Sequence, residues 1–293
     1  MEGLAIPLIT WFDPWKSPLC TCPKKYSFNP YTGCDHHCLY CYITSYIPNA
    51  FKVREKKGLL KNLRRELKRL DYRFVISMSN SSDPYPTIDE KLKITRRVLQ
   101  IMSDFPIKLL IITKSNIITR DIDILKNMKV AVMFTITTID NELAKKMEIN
   151  APSPIERLEA IKKLSSSGIP VGIRLDPIVP YINDSIENIE AVIKAAKSVG
   201  AIHVVSSTFK PRIDSWKRMF AAFPTEMKKA RFLYTERVGR VTYIKREIRL
   251  KLMTRVKEIA ENYGLSFATC REGFSFLHTS KTCDGSHLID LKD

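Results

Sequence analysis

Short apolar runs alternate with longer amphipathic ones through the middle of this chain, and that alternation limits its fold more than any other feature. The runs Phe74 to Met78, Lys108 to Thr113, Val130 to Thr137, Val171 to Leu175 and Ile202 to Ser206 are nearly all apolar, and Lys25 to Asn29 reads as a first strand before them. Strands apolar on both faces must be covered on both, which is the condition of a parallel sheet with crossover helices. Helical periodicity fills the gaps at Lys56 to Leu70, Glu90 to Ser103, Pro154 to Ser166 and Ile186 to Val199, with Gly168 and Gly200 placed as stops. Six βα units in succession predict an α/β fold, either a partial (βα)6 TIM-like barrel or a doubly wound sheet.

After Phe209 the pattern turns helical, at Trp216 to Lys229 and Val241 to Tyr263, without strand runs. A short last strand, Ser266 to Thr269, leads into a tail holding Cys and Gly. The expected organisation is therefore an N-terminal segment (1–23), a core (24–209) and a helical extension with a Cys-containing tail (210–293). At 293 residues and 44% hydrophobic content the chain can bury one sizeable core, which excludes a disordered or fibrous protein. No apolar run approaches the ~20 residues of a membrane span. The opening Met1-Glu2-Gly3-Leu4-Ala5-Ile6-Pro7 lacks the basic start and long apolar stretch of a signal peptide, so the expectation is a cytoplasmic protein with no membrane partner.

Lys and Arg number 48 against 31 Asp and Glu, a formal net charge of +17. Such an excess favours a polyanionic partner, because cations facing phosphates release counterions, and Lys210, Arg212, Lys217, Arg218, Lys228, Lys229, Arg231, Arg237 and Arg240 after Phe209 are the expected phosphate-facing set; charges on solvated helix faces are the competing explanation. The seven cysteines are an odd number and fall in three groups: Cys20 and Cys22; Cys34, Cys38 and Cys41; Cys270 and Cys283. Clustered thiols in a reducing compartment more often bind metal than pair as disulfides.

The sharpest signal is Gly33-Cys34-Asp35-His36-His37-Cys38-Leu39-Tyr40-Cys41-Tyr42, a Cys-x3-Cys-x2-Cys array just after the first strand. Three thiolates on one short loop can take three corners of a 4Fe-4S cube and leave the fourth iron open. Parallel α/β folds place ligands at the carboxyl ends of their strands, where this loop falls. The competing reading is zinc, with His36 or His37 as fourth ligand, or plain buried cysteines; a second paired knuckle, usual in zinc ribbons, does not occur nearby.

At this loop the sequence resembles the radical S-adenosylmethionine (SAM) superfamily, and within it the group related to spore photoproduct lyase, often labelled DNA repair photolyase. The resemblance extends through Asn29-Pro30-Tyr31-Thr32-Gly33, Ser82-Asp83-Pro84-Tyr85, Thr113-Lys114-Ser115, Thr135 to Thr138, Arg157-Leu158-Glu159-Ala160-Ile161, and Arg174 to Pro180 with Asn183-Asp184, about two thirds of the chain. It implies a partial barrel holding a 4Fe-4S cluster through Cys34, Cys38 and Cys41, with S-adenosyl-L-methionine chelated to the open iron. One electron, from a reductase or ferredoxin-like donor, would then cleave the sulfonium to methionine and a 5'-deoxyadenosyl radical.

The same resemblance places Tyr40 and Tyr42 beside the third cysteine, with Tyr40 at the adenine end, and puts Ser82, Lys114 and Thr135 at cofactor-holding positions. Lys114 suits a methionyl carboxylate, since an ammonium pairs with it without competing for iron. Arg174 lies inside an apolar run, where a charge needs a partner; the cofactor carboxylate is one candidate, and Asp176 or another acid in the fold is the second. No catalytic residue is assigned. Asn80 stands where the lyase has the cysteine that returns hydrogen to its product, and an amide cannot replace a thiol as hydrogen-atom donor, so the lyase's own repair reaction does not carry over.

The remaining Cys20, Cys22, Cys270 and Cys283 form either a closed zinc or second-cluster site or a set of independent cysteines. Three functions compete: a radical SAM enzyme acting on DNA or RNA, one acting on a protein or small molecule, and a non-catalytic zinc-stabilised nucleic-acid-binding protein.

Overall fold

The computed structural model describes residues 7–13 and 17–292, so the opening segment read for a leader falls almost wholly outside it. The main sheet has eight strands in the order Ile9–Trp11, Tyr26–Phe28, Ile76–Met78, Lys108–Thr113, Lys129–Thr135, Val171–Ile178, His203–Thr208 and Ser266–Thr269. All neighbours run parallel except the first pair, which is antiparallel. This is the expected α/β architecture of partial-barrel type, open between its two edge strands.

The strands are buried on both faces, as their composition requires. On one face Leu109, Ile111, Val132, Phe134 and Ile173 pack against helices Leu59–Leu67, Ile94–Met102, Pro154–Ser166, Ile186–Ser198 and Arg246–Asn262. On the other, Leu110, Ala131, Met133 and Val205 meet Leu288 and Ile289 of the C-terminal tail. The tail thus plugs the inner face of the sheet.

Several expected elements change at their ends for local reasons. The helix expected over Glu90 to Ser103 breaks at Lys93, whose backbone is left-handed (φ 51°), into Asp89–Leu92 and Ile94–Met102. The buried carboxylate of Asp89 holds that break, accepting from Thr95 N (2.9 Å), Tyr31 OH (2.5 Å) and Arg120 Nη2 (2.8 Å). The helix expected over Trp216 to Lys229 divides at Pro224, where proline opens a second helix instead of continuing the first.

The expectation of an unbroken helix from Val241 is corrected outright. Glu236–Val238 and Val241–Tyr243 pair as a hairpin across Gly239-Arg240, with Gly239 at φ 59°, and the helix begins only at Arg246. The β-branched and aromatic run around a two-residue turn is a hairpin signal that the helical charge pattern masked. Ile9–Trp11 was not expected as a strand; Trp11 stacks on Tyr26 at 4.2 Å and anchors that edge. No described helix is long and apolar enough to cross a membrane.

Candidate functional site at the strand ends

The loop carrying Cys34, Cys38 and Cys41 follows the strand Tyr26–Phe28, and its entry is set by Gly33. That residue has φ 84°, and a Cβ there would lie 2.5 Å from Lys52 O and 2.8 Å from Ala50 O. Only glycine fits, and its fit lets Cys34 N–H bond Ala50 O at 2.8 Å. The loop is then pinned from outside: Leu39 N–H donates to Met147 O (2.9 Å), and Arg218 donates to Leu39 O (3.0 Å) and Cys41 O (2.7 Å). Arg218 was expected among phosphate-facing cations; it is instead a clasp on the loop carbonyls, tethered to Asp214 at 3.2 Å.

All three sulfurs line one cavity of about 550 Å³ at the carboxyl ends of the parallel strands. Tyr40, Tyr42, Ser82, Lys114, Thr135 and Arg174 line it too, so the residues singled out in the sequence converge on one space. Burial pushes all three thiols up, Cys38 to about 12, while the Lys114 ammonium pulls against that rise at Cys38 and Cys41. Thiols so held are protonated at neutral pH, and loading a metal there releases protons.

Beneath the loop lies a charge network whose key member the sequence did not reveal. Glu148, 1% exposed, accepts from Tyr40 OH and pairs with Arg157 Nη2 at 2.5 Å. Arg157, equally buried, also donates to Thr135 O (3.0 Å) and Pro152 O (2.8 Å). Burial pushes the Glu148 carboxyl up, but Arg157 and Lys114 outweigh it and hold it below the ordinary value. Tyr40 is therefore oriented from below by Glu148, with Lys114 Nζ 5.5 Å from the centre of its ring.

Asp83 organises the other side. It accepts from Thr113 Oγ1 (2.7 Å), Lys114 N (2.8 Å) and Tyr85 N (3.0 Å), and lies 3.6 Å from His36 Nδ1. His36 is buried and held neutral by burial, and His37 stacks on Phe51 at 4.3 Å. Asn80 donates to Ser27 Oγ and Ser77 O, each at 3.0 Å, and its own carbonyl oxygen accepts from Ser77 Oγ. Its amide is spent on the turn. Tyr42 OH donates to Asn80 O at 2.5 Å, and Arg174 Nη2 pairs with Asp176 at 2.6 Å, the second of the two partners foreseen for it.

Three observations test whether this lining suits a cofactor. Ser79 Oγ and Ser82 Oγ are buried without a hydrogen-bond partner. The Lys114 ammonium makes no ion pair within 4.0 Å among the described residues, although the carboxylates of Glu148 and Asp83 keep it charged against burial. Three thiols face the same space. Unsatisfied hydroxyls, a free-ended ammonium and soft donors together fit a polar, carboxylate-bearing molecule beside an iron–sulfur group.

The four other cysteines are free thiols. Cys22 Sγ and Cys283 Sγ stand 3.4 Å apart. Among the described residues no three of the four sulfurs lie within 4.8 Å of one another; the group that does is Cys34, Asp35 and His36.

A mainly parallel α/β sheet with thiols, an ammonium and unpartnered hydroxyls gathered at its strand ends defines an enzyme of the cofactor-dependent kind. The radical SAM superfamily model matches residues 28–196, more than half of the sequence, and the chain belongs to that superfamily. Membership implies a 4Fe-4S cluster and S-adenosylmethionine. An uncharacterised protein of Methanocaldococcus jannaschii is 33% identical over 163 residues, covering 55% of this chain and 62% of that one. One of Mycobacterium tuberculosis is 24% identical over 196 residues, covering 62% and 58%. The chain thus spans about three fifths of the length of these relatives.

Among solved structures, spore photoproduct lyase with bound S-adenosylmethionine and dinucleoside spore photoproduct is 16% identical with a TM-score of 0.68, covering 87% of this chain and 79% of that one. SuiB of Streptococcus suis bound to its precursor peptide gives 17% and 0.56, covering 83% and 48%. At these identities the likeness is one of fold.

Proposed function

We propose that this radical SAM enzyme holds its cluster through Cys34, Cys38 and Cys41, binds S-adenosylmethionine with Ser82, Lys114 and Thr135, and acts on a nucleic-acid substrate. When bound, cluster and cofactor supply the reductive cleavage that yields a 5'-deoxyadenosyl radical. The protein's own part is positional. Lys114 pairs with the methionyl carboxylate, the Ser79 and Ser82 hydroxyls find in the cofactor the partners they otherwise lack, and Glu148 and Arg157 fix Tyr40 against the loop. Tyr42, anchored on Asn80, and the Arg174–Asp176 pair line the same cavity and shape it. Buried walls exclude water that would quench reactive species.

The observation that carries the substrate reading is the surface of the extension. Lys217, Lys228, Lys229, Arg231, Arg237 and Arg240 are exposed, and Phe232 among them is 74% exposed. Cations interleaved with exposed aromatic rings suit a phosphate backbone with unstacked bases. Lys210, expected in this group, is instead paired with Glu272 at 2.8 Å in a buried network. Radical attack on a base also needs the polymer held while one nucleotide enters the site.

Binding of single-stranded DNA and RNA, followed by fluorescence anisotropy across ionic strength, tests this. Affinity is expected to fall steeply with salt, and Lys228→Ala/Lys229→Ala/Arg231→Ala to lower the logarithmic slope by about 0.7 for each phosphate no longer neutralised. Absence of binding at low salt favours a peptide or small-molecule substrate. The cofactor pocket has its own test: Lys114→Ala is expected to weaken S-adenosylmethionine binding by about 1.5–3 kcal/mol, roughly ten- to hundred-fold. An unchanged dissociation constant by calorimetry reassigns Lys114 to structure or substrate.

A further inference from the structure

The cavity wall carries a second group of sulfurs that the proposed function does not use. Cys22 precedes the strand Tyr26–Phe28 and Cys283 lies in the tail, 261 residues later, yet their Sγ atoms are 3.4 Å apart. Cys20, two residues before Cys22, is close enough for the two thiols to interact. Cys270 closes the last parallel strand, its N–H on Ser206 O at 2.9 Å and its sulfur in reach of the Arg174 guanidinium. Two thiols of this group, Cys22 and Cys270, open on the same cavity as the cluster loop.

The surroundings are not those of inert buried cysteines. Lys25, 2% exposed, places its ammonium 3.9 Å from Cys22 Sγ and 2.5 Å from Asp284. The Arg174 guanidinium, paired with Asp176 at 2.6 Å, also interacts with Cys270. Four thiolates around a divalent ion leave two net negative charges, and Lys25 and Arg174 lie beside them, each also ion-paired with a carboxylate, Asp284 and Asp176. A zinc–sulfur bond of about 2.3 Å gives a tetrahedral sulfur–sulfur edge of about 3.8 Å, close to the Cys22–Cys283 separation.

We propose that Cys20, Cys22, Cys270 and Cys283 form a second metal centre, a closed tetrathiolate site for zinc or iron that clasps the N-terminal segment to the C-terminal tail at the cavity wall. The Cys22–Cys283 pair is its preformed edge. Cys20 and Cys270 complete it by turning between staggered rotamers, and the thiol protons leave to solvent as the metal binds. With all four positions filled by protein the ion has no open site, so its role is structural. It fixes the two chain ends that close the inner face of the barrel.

Metal analysis of the full chain separates this centre from the cluster loop. The Cys34→Ala/Cys38→Ala/Cys41→Ala variant, purified anaerobically, is expected to retain about one zinc or iron per chain, and addition of Cys22→Ser and Cys283→Ser to remove it. Zinc and iron are measured separately, which identifies the metal. Cobalt(II) titration of the metal-free native chain gives a second readout should those variants fold poorly. Thiolate-to-cobalt charge-transfer absorption is expected to survive loss of the loop cysteines and to vanish with Cys22→Ser/Cys283→Ser. A loop variant free of zinc and iron, a metal content untouched by the Cys22 and Cys283 changes, or a cobalt spectrum that depends on the loop alone each overturns the proposal.

Discussion

Cys38→Ala is expected to abolish formation of 5'-deoxyadenosine from S-adenosylmethionine and dithionite under anaerobic conditions. Cys38 is the middle thiol of the loop, 7% exposed, and lines the cavity with its two partners. With two loop thiolates left, no three-point attachment remains to hold a cube with one open iron. The loop itself should stay in place, because Gly33, Arg218 and the Leu39–Met147 bond hold its backbone independently of the sulfur. Loss of product with an unchanged unfolding midpoint, together with loss of the reduced-cluster electron paramagnetic resonance signal, is therefore the full expected result. Undiminished product would remove Cys38 from the ligand set.

The largest effect on stability is expected from Arg157→Met. The change leaves the Glu148 carboxylate buried without its cation, and breaking such a pair from one side costs about 3–5 kcal/mol. Removing both ends together in Arg157→Met/Glu148→Leu should recover most of that loss, since two apolar side chains strand no charge. The pH dependence carries a definite sign. In the native chain the Glu148 carboxyl is held below its ordinary 4.5, so the stabilisation it gives is present above that value and lost as pH falls below it. In Arg157→Met burial acts unopposed by the guanidinium and raises that carboxyl, so the deficit narrows on acidification as Glu148 takes up a proton. Urea unfolding at neutral and mildly acidic pH measures both. A single-variant loss below about 1 kcal/mol would mean that the pair contributes no more than a surface bridge.

Both predictions draw on residues whose legibility differed. Cys38 could be read directly, because ligand spacing within one loop is a local property. The parallel sheet was equally open to reading: Lys108–Thr113, Pro154–Ser166 and Ser266–Thr269 fall where apolar periodicity and caps put them. Helix ends were legible where a short-range signal exists. Ser153 begins its helix with a reciprocal hydrogen-bonded pair to Glu156, whereas the break at Pro224 was passed over in the charge pattern around it. The Val241–Tyr243 strand was missed because its alternation is only three residues long and sits inside a Lys- and Arg-rich stretch with helical character.

By itself, then, the sequence determined the elements, their parallel association and the three-thiol loop, since each depends on periods and spacings of a few residues. Tertiary structure alone decided which charges meet. Nothing in the chain near Tyr40 announces that its hydroxyl rests on Glu148, 108 residues away, or that Arg218 turns from the surface to clasp the carbonyls of Leu39 and Cys41. The convergence of Cys22 and Cys283, and the insertion of the tail beneath Met133, are of the same kind. Such pairs are selected when the sheet closes and desolvates whatever lies at its strand ends. A buried charge must then find its complement within a few ångströms, whatever the distance along the chain.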